Sequence, residues 1–94
     1  INLLRGIYIL VPRNMTIAEG FYNTLLRGDQ PAIVVECLNG YRTKEQMPTN
    51  IGDYTVQIGK VDKIKSGEDI TVISYGSTLK IVEKACETLT EVVK

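Results

Sequence analysis

The sequence predicts an α/β fold, a parallel sheet with helices on its faces, and three features carry that expectation. Two short uncharged runs rich in β-branched residues, 7–11 (IYILV) and 32–35 (AIVV), show no polar alternation, as strands covered on both faces do. Between them the apolar residues recur every three to four positions, the spacing of a helix with one buried stripe. A strand, a helix and a strand in so short a span cannot form a hairpin. The two strands are therefore expected to be parallel, joined by a right-handed crossover.

Each element has its own local reason. Leu3 to Gly6 make an approach with a turn at Gly6, and Pro12 ends the first strand. Thr16 and Glu19 have the spacing of a capping box, in which hydroxyl and carboxylate each satisfy an orphan backbone donor, so a helix is expected to begin near Ile17. Ile17, Phe21 and Leu25, with Ala18, Tyr22 and Leu26 beside them, form its apolar stripe. Gly28 is expected to stop this helix in the left-handed conformation, with Pro31 preventing continuation. Residues 38–50 hold the turn signal Asn39-Gly40-Tyr41-Arg42 and Pro48, and read as an exposed connection.

The pattern changes from Ile51 onward. Residues 54–58 and 60–65 alternate like half-covered strands on either side of Gly59. Residues 66–69 form a turn and 70–75 a buried strand; Gly76-Ser77-Thr78 is a tight capped corner. The last segment is a helix, with Leu79, Val82, Ala85, Cys86, Leu89 and Val93 on one apolar face. The second half thus opens a new α/β unit after a polar linker. Two partial domains are expected, 1–50 and 51–94, joined near Gly52.

Composition narrows function mainly by exclusion. The 94 residues carry 11 Lys and Arg against 11 Asp and Glu, with no long run of either sign, so no nucleic-acid or anionic-membrane footprint is read. No apolar run reaches the length of a membrane span and no signal-peptide pattern is present, which makes a cytoplasmic protein the expectation. Cys37 and Cys86 lie far apart and read as reduced, buried thiols. The sequence has no histidine, which excludes Ser–His and Cys–His nucleophile pairs and His-containing zinc sites within these residues. It opens inside an apolar phrase without an initiator methionine and closes without a strand after its last helix, so a piece of a larger protein is expected.

Few residues stand out as chemistry. Arg13 and Asn14 follow the first strand at its carboxyl end, where open parallel sheets keep their ligands. A wet, capped corner needs the same residue types, and that structural role is the favoured reading. Glu36 ends the second strand, either facing a cleft with a raised pKa or simply solvated. Gly76 before a helix start could hold a phosphate, although a bare strand-to-helix turn needs the same glycine. Arg27-Gly28-Asp29 spells an adhesion tripeptide but coincides with a helix end, and Asn14-Met15-Thr16 is a glycosylation sequon that lacks a secretory context.

Residues 4–7 (LRGI), 11–16 (VPRNMT), 29–36 (DQPAIVVE), Tyr41-Arg42 and 68–77 (EDITVISYGS), taken in order, resemble one family. It is the beta subunit, or beta half, of the thiamine-diphosphate-dependent decarboxylating dehydrogenase component of 2-oxoacid dehydrogenase complexes, of the pyruvate or branched-chain (2-oxoisovalerate) type. The resemblance implies that residues 1–50 end a pyrimidine-binding domain and that 51–94 open a transketolase-type C-terminal domain. It implies a parent enzyme that decarboxylates a 2-oxo acid and passes the acyl group to a lipoyl acyltransferase core. The partners implied are an alpha subunit or alpha half and a second beta copy. The family's cofactor-activating glutamate and substrate histidine lie upstream of Ile1, and its magnesium and diphosphate belong to the alpha part. No catalytic or cofactor-binding residue is therefore assigned here, and the chain alone is expected to be inactive.

The family also implies a monovalent-cation site on the helix-to-strand turn, mapping onto Leu25, Gly28 and Gln30. Gly28 stands where many relatives have aspartate and Gln30 where they have asparagine, changes that a carbonyl ligand survives and a side-chain ligand does not. A helix C-cap needs no ion at the same positions. Two other readings stand beside the first. One is a non-catalytic α/β module that binds a ligand or a protein. The other is a fragment of a deoxyxylulose-phosphate synthase or a transketolase, which Tyr41-Arg42 and the phrase at 71–76 fit less well.

Overall fold

Two strands, β1 (Tyr8–Leu10) and β2 (Ala32–Val34), pair in parallel in a computed structural model that describes residues 3–92. Tyr8 stands opposite Ala32, Ile9 opposite Ile33 and Leu10 opposite Val34. The ladder is extended at both ends, since the Tyr8 N–H donates to the Pro31 carbonyl at 3.0 Å and the Val35 N–H to the Leu10 carbonyl at 2.8 Å. Helix α1 (Met15–Leu26) connects the strands. The parallel strand, helix, strand order expected from the sequence is thus present, and the chain is of the α/β class.

Gly6 turns into β1 with a φ of +77°, a conformation that costs a glycine least. The start of α1 corrects the sequence reading. The helix begins at Met15, and its cap is Asn14, whose Oδ1 accepts the Ile17 N–H at 2.9 Å; the expected Thr16–Glu19 capping box is not formed. Asn14 leaves β1 in extended backbone, which places its short amide over the first turn before Thr16 can take that role. Two further orphan donors, the N–H groups of Met15 and Thr16, are taken by the Glu45 carboxylate at 3.1 and 3.3 Å.

The end of α1 is also corrected. Arg27 stays right-handed at the cap, and Gly28 is not among the glycines with positive φ. The Gly28 N–H instead closes back on the Leu25 carbonyl at 3.1 Å, a tightened last turn that any residue could make.

The core is small. Leu10 on β1 and Ala18 on α1 are the buried apolar residues among those described, 8% and 1% exposed. Tyr8 is exposed, while Ile9 and Ile33 are half-buried, so β1 is not covered on both faces as its uncharged run predicts. A sheet of two strands with one connecting helix has too little material to cover both faces.

Residues 54–58 keep their predicted alternation and lose their predicted strand. Tyr54, Val56 and Ile58 are half-buried while Thr55 and Gln57 are exposed, yet no strand forms. The backbone bonds go to α1 instead. Val56 donates its N–H to the Gly20 carbonyl at 3.2 Å and accepts the Thr24 hydroxyl on its own carbonyl at 2.7 Å. The Asn23 amide donates to the carbonyls of Ile51 and Tyr54 at 2.9 and 2.8 Å. Gly20 permits this approach, because a Cβ there would lie 2.4 Å from Val56 Cγ2 and 2.8 Å from Tyr54 Cε1.

The other two expected strands, 60–65 and 70–75, are also absent from the described residues. Val61 and Ile73 are 90% exposed, and no neighbouring strand offers either segment a ladder. The exposed connection at 38–50 contains a 3-10 turn, Leu38–Arg42, closed by Gly40 N–H to the Cys37 carbonyl at 2.9 Å and Thr43 N–H to the Gly40 carbonyl at 3.0 Å.

Helix α2 (Thr78–Val92) forms as expected after a tight corner. Gly76 is buried there with a φ of +60°, and a Cβ on it would meet Val11 Cγ1 at 2.8 Å. The predicted apolar face is only partly covered. Leu79, Val82 and Cys86 are half-buried, Ala85 and Leu89 are exposed, and Val93 lies outside the described residues. No described helix is long and apolar enough to cross a membrane.

Candidate functional site

The carboxyl ends of β1 and β2 open into a cleft of about 180 Å³. Arg13 and Asn14 reach it from the exit of β1, Glu36 and Cys37 from the exit of β2, and Ser77 and Lys80 from the start of α2. The structure thus brings together three residues singled out by position, Arg13, Asn14 and Glu36, with the corner that follows Gly76. This is where a parallel unit places ligands, because both strands and both following segments end there.

Most of the polar groups in the cleft are already engaged. The Asn14 amide oxygen caps α1, which bears out its structural role. Arg13 Nη1 pairs with Asp62 at 2.6 Å, and Lys80 Nζ lies 4.0 Å from the Glu45 carboxylate that covers the start of α1. The phosphate reading of Gly76 gains nothing from this arrangement, since each nearby cation has an internal carboxylate partner.

Of the two readings left open for Glu36, a cleft carboxylate with a raised pKa and a solvated strand end, the structure gives neither in full: the residue lines the cleft, but its pKa is lowered. Its carboxyl group is held below the ordinary value, first by the Tyr22 hydroxyl and then by the Tyr41 hydroxyl, each donating to one of its oxygens. Tyr22 correspondingly is pushed up to about 12, chiefly by its bond to Glu36, and Tyr41 is raised for the same reason. An ionised carboxylate saturated by two hydroxyl donors is an anchor and not a proton carrier near neutral pH. Cys37 is lowered, mostly by the Ser77 hydroxyl and then by the Gly40 N–H, with Lys80 contributing least.

These shifts have a definite sign. The folded chain holds the Tyr22 proton more tightly than an unfolded one, so the contact favours folding below pH 10.0 and is lost as pH rises through about 12. Glu36 acts oppositely, favouring folding above its ordinary 4.5 and losing that contribution as pH falls through its lowered value. Ultraviolet titration of phenolate absorbance is expected to show Tyr22 ionising near 12, and Glu36→Gln to bring it back toward 10.0. Tyrosines that all titrate together in the unaltered chain would contradict the assignment.

The residues mapped to a cation site lie at the opposite end of the sheet, before β2 begins. The Leu25 carbonyl accepts the Gly28 N–H, and the carbonyl oxygens of Leu25 and Thr24 lie 3.7 and 3.8 Å from where a Gly28 Cβ would stand. The Gln30 side chain turns away to donate from Nε2 to the Gly6 carbonyl at 2.9 Å. No group of three or more Cys, Asp or Glu side chains capable of holding a metal occurs among the described residues.

Sequence reasoning missed Tyr22, Tyr41, Cys37, Glu45 and Lys80 as neighbours of this cleft. Tyr22 was legible only as part of a helix stripe. Glu45 and Tyr41 depend on how the connection after β2 folds back, and no local periodicity encodes that.

A parallel strand–helix–strand unit with its cleft at the carboxyl ends defines an α/β protein, and comparison with known sequences narrows the class further. Over 75 residues the chain is 36% identical to the 2-oxoisovalerate dehydrogenase subunit beta, mitochondrial, of Chaetomium thermophilum, an alignment covering 79% of this chain and 16% of that one. Over 85 residues it is 32% identical to the pyruvate dehydrogenase E1 component subunit beta of Staphylococcus aureus, covering 89% of this chain and 26% of the relative. The corresponding subunit of Staphylococcus epidermidis matches over the same shares, again at 32% identity. No protein-family model matches the chain, and no solved structure does. The chain is similar to one segment of the beta subunits of 2-oxoacid dehydrogenases and spans between 16% and 26% of their length.

Proposed function

We propose that this chain is a scaffold segment of the beta subunit of a thiamine-diphosphate-dependent 2-oxoacid dehydrogenase. The observation that carries the proposal is the match of 79–89% of the chain to beta subunits named for pyruvate and for 2-oxoisovalerate. The parent enzyme would decarboxylate pyruvate or a branched-chain 2-oxo acid and hand the acyl group to a lipoyl acyltransferase core. Its partners would be an alpha subunit or alpha half and a second beta copy. A cytoplasmic location belongs to the same proposal and is supported by Cys37 and Cys86 both being free thiols.

Within that parent, residues 1–50 would close the pyrimidine-binding domain and 51–94 would open the transketolase-type C-terminal domain. Exposed Ile70, Ile73, Tyr75 and Ile81 support this reading, since apolar side chains in such density fit a surface that other parts of a subunit cover. Thiamine diphosphate would supply the carbanion chemistry of decarboxylation, with magnesium holding its diphosphate. The residues present do not fit either group. The sequence has no histidine, no group of three or more Cys, Asp or Glu side chains is placed to hold magnesium among the described residues, and both oxygens of the Glu36 carboxylate already accept tyrosine hydroxyls. A monovalent cation would rest on backbone carbonyls of Leu25, Gly28 and Gln30, because the Gln30 amide is already spent on Gly6.

This chain's own contribution is to place strands and a helix. The purified chain, given pyruvate or 2-oxoisovalerate with thiamine diphosphate and magnesium, is expected to release no carbon dioxide above the protein-free blank. Turnover that scales with chain concentration would overturn the scaffold role.

A further inference from the structure

We propose that Glu36 is the pin of a latch that holds the 3-10 turn at Leu38–Arg42 as the wall of the cleft. Its carboxylate joins three elements: it follows β2, accepts the Tyr22 hydroxyl from α1 on Oε1, and accepts the Tyr41 hydroxyl from the turn on Oε2. This inference stands apart from the enzymatic parentage, since it rests only on contacts within the chain.

The turn has little else to seat it. None of its residues is buried, and Leu38, its first apolar side chain, is 78% exposed. A five-residue 3-10 segment is intrinsically marginal, and the bonds at its two ends, Gly40 N–H to the Cys37 carbonyl and Thr43 N–H to the Gly40 carbonyl, are local and tie it to no other element. Hydrogen bonds to an ionised acceptor are the stronger kind, and two of them converge on one carboxylate. The wall matters because Asn39 and Gly40 of the turn, with Cys37 before it, line the same cleft as Pro12, Arg13 and Asn14 from the exit of β1, so the shape of the cleft follows the position of the turn. Once Tyr41 is released, the turn is free to swing away from α1 and the cleft opens toward solvent.

Amide hydrogen exchange read by mass spectrometry tests the latch on the chain as it exists. In the unaltered chain the Gly40 and Thr43 amides are expected to be protected relative to residues 44–47. Tyr41→Phe, which removes one hydrogen bond to a charged group, is expected to speed exchange across 38–43 by about tenfold while exchange in α1 stays unchanged, and Glu36→Gln, which takes the charge from both bonds, is expected to speed exchange across 38–43 by at least as much. Unchanged exchange at 38–43 in Tyr41→Phe would overturn the proposal. If a variant loses α1 protection as well, the unaltered chain still decides: exchange at Gly40 and Thr43 as fast as at 44–47 also overturns it.

Discussion

Leu10→Ala is expected to abolish cooperative unfolding of the chain or to lower its urea midpoint by the largest amount of any single truncation. Leu10 is the larger of the two buried apolar residues, and its carbonyl accepts the Val35 N–H that extends the β1–β2 pairing. Removing a buried leucine side chain costs about 2–5 kcal/mol, from lost transfer free energy plus the cavity left behind. Small domains hold only about 5–15 kcal/mol in total, so a core this size has little to spare. Ala18, the other buried apolar residue at 1% exposed, is too small to fill the gap. An unchanged midpoint, followed by far-ultraviolet circular dichroism, would mean that the centre of the fold lies elsewhere.

Gly20→Val is expected to strip residues 54–58 from α1 while leaving the helix intact. Any Cβ at position 20 would come within 2.4 Å of Val56 Cγ2, and valine adds two more carbons to the same gap. Val56 is short and β-branched, so it cannot swing aside as a long side chain would. Overpacking of this kind costs about 1–3 kcal/mol, against at most about 1 kcal/mol regained from helix propensity. The segment also loses the bond from the Val56 N–H to the Gly20 carbonyl. Limited proteolysis reads the outcome directly, with faster cleavage between 51 and 58 and unchanged resistance within α1. Equal cleavage in both chains would show that the segment is not docked.

Which parts of this were legible in the sequence depends on how local their causes are. Uncharged runs and helical spacing are properties of neighbouring residues, and β1, α1, β2 and α2 follow from them. The alternation of Tyr54, Val56 and Ile58 gave the right covered side chains, because period two reports burial whatever the backbone pairs with. It could not report that the partner is Gly20 and Thr24 on a helix. Residues 60–65 and 70–75 have strand composition without a strand, since pairing needs a neighbour that the described residues do not provide. Asn14 displaced the expected capping box by standing two residues before Thr16 in already extended backbone. At the cleft, position alone found Arg13, Asn14 and Glu36. The sign of the Glu36 shift was not readable, because both of its partners arrive through the fold.

Isothermal titration of the chain with thiamine diphosphate and magnesium tests the scaffold reading most directly. Heats that do not rise above dilution at any ratio are predicted, because the scaffold reading assigns no group here to the aminopyrimidine or the diphosphate. A saturable isotherm, abolished when magnesium is withheld, would contradict it and place cofactor-binding residues within these 94.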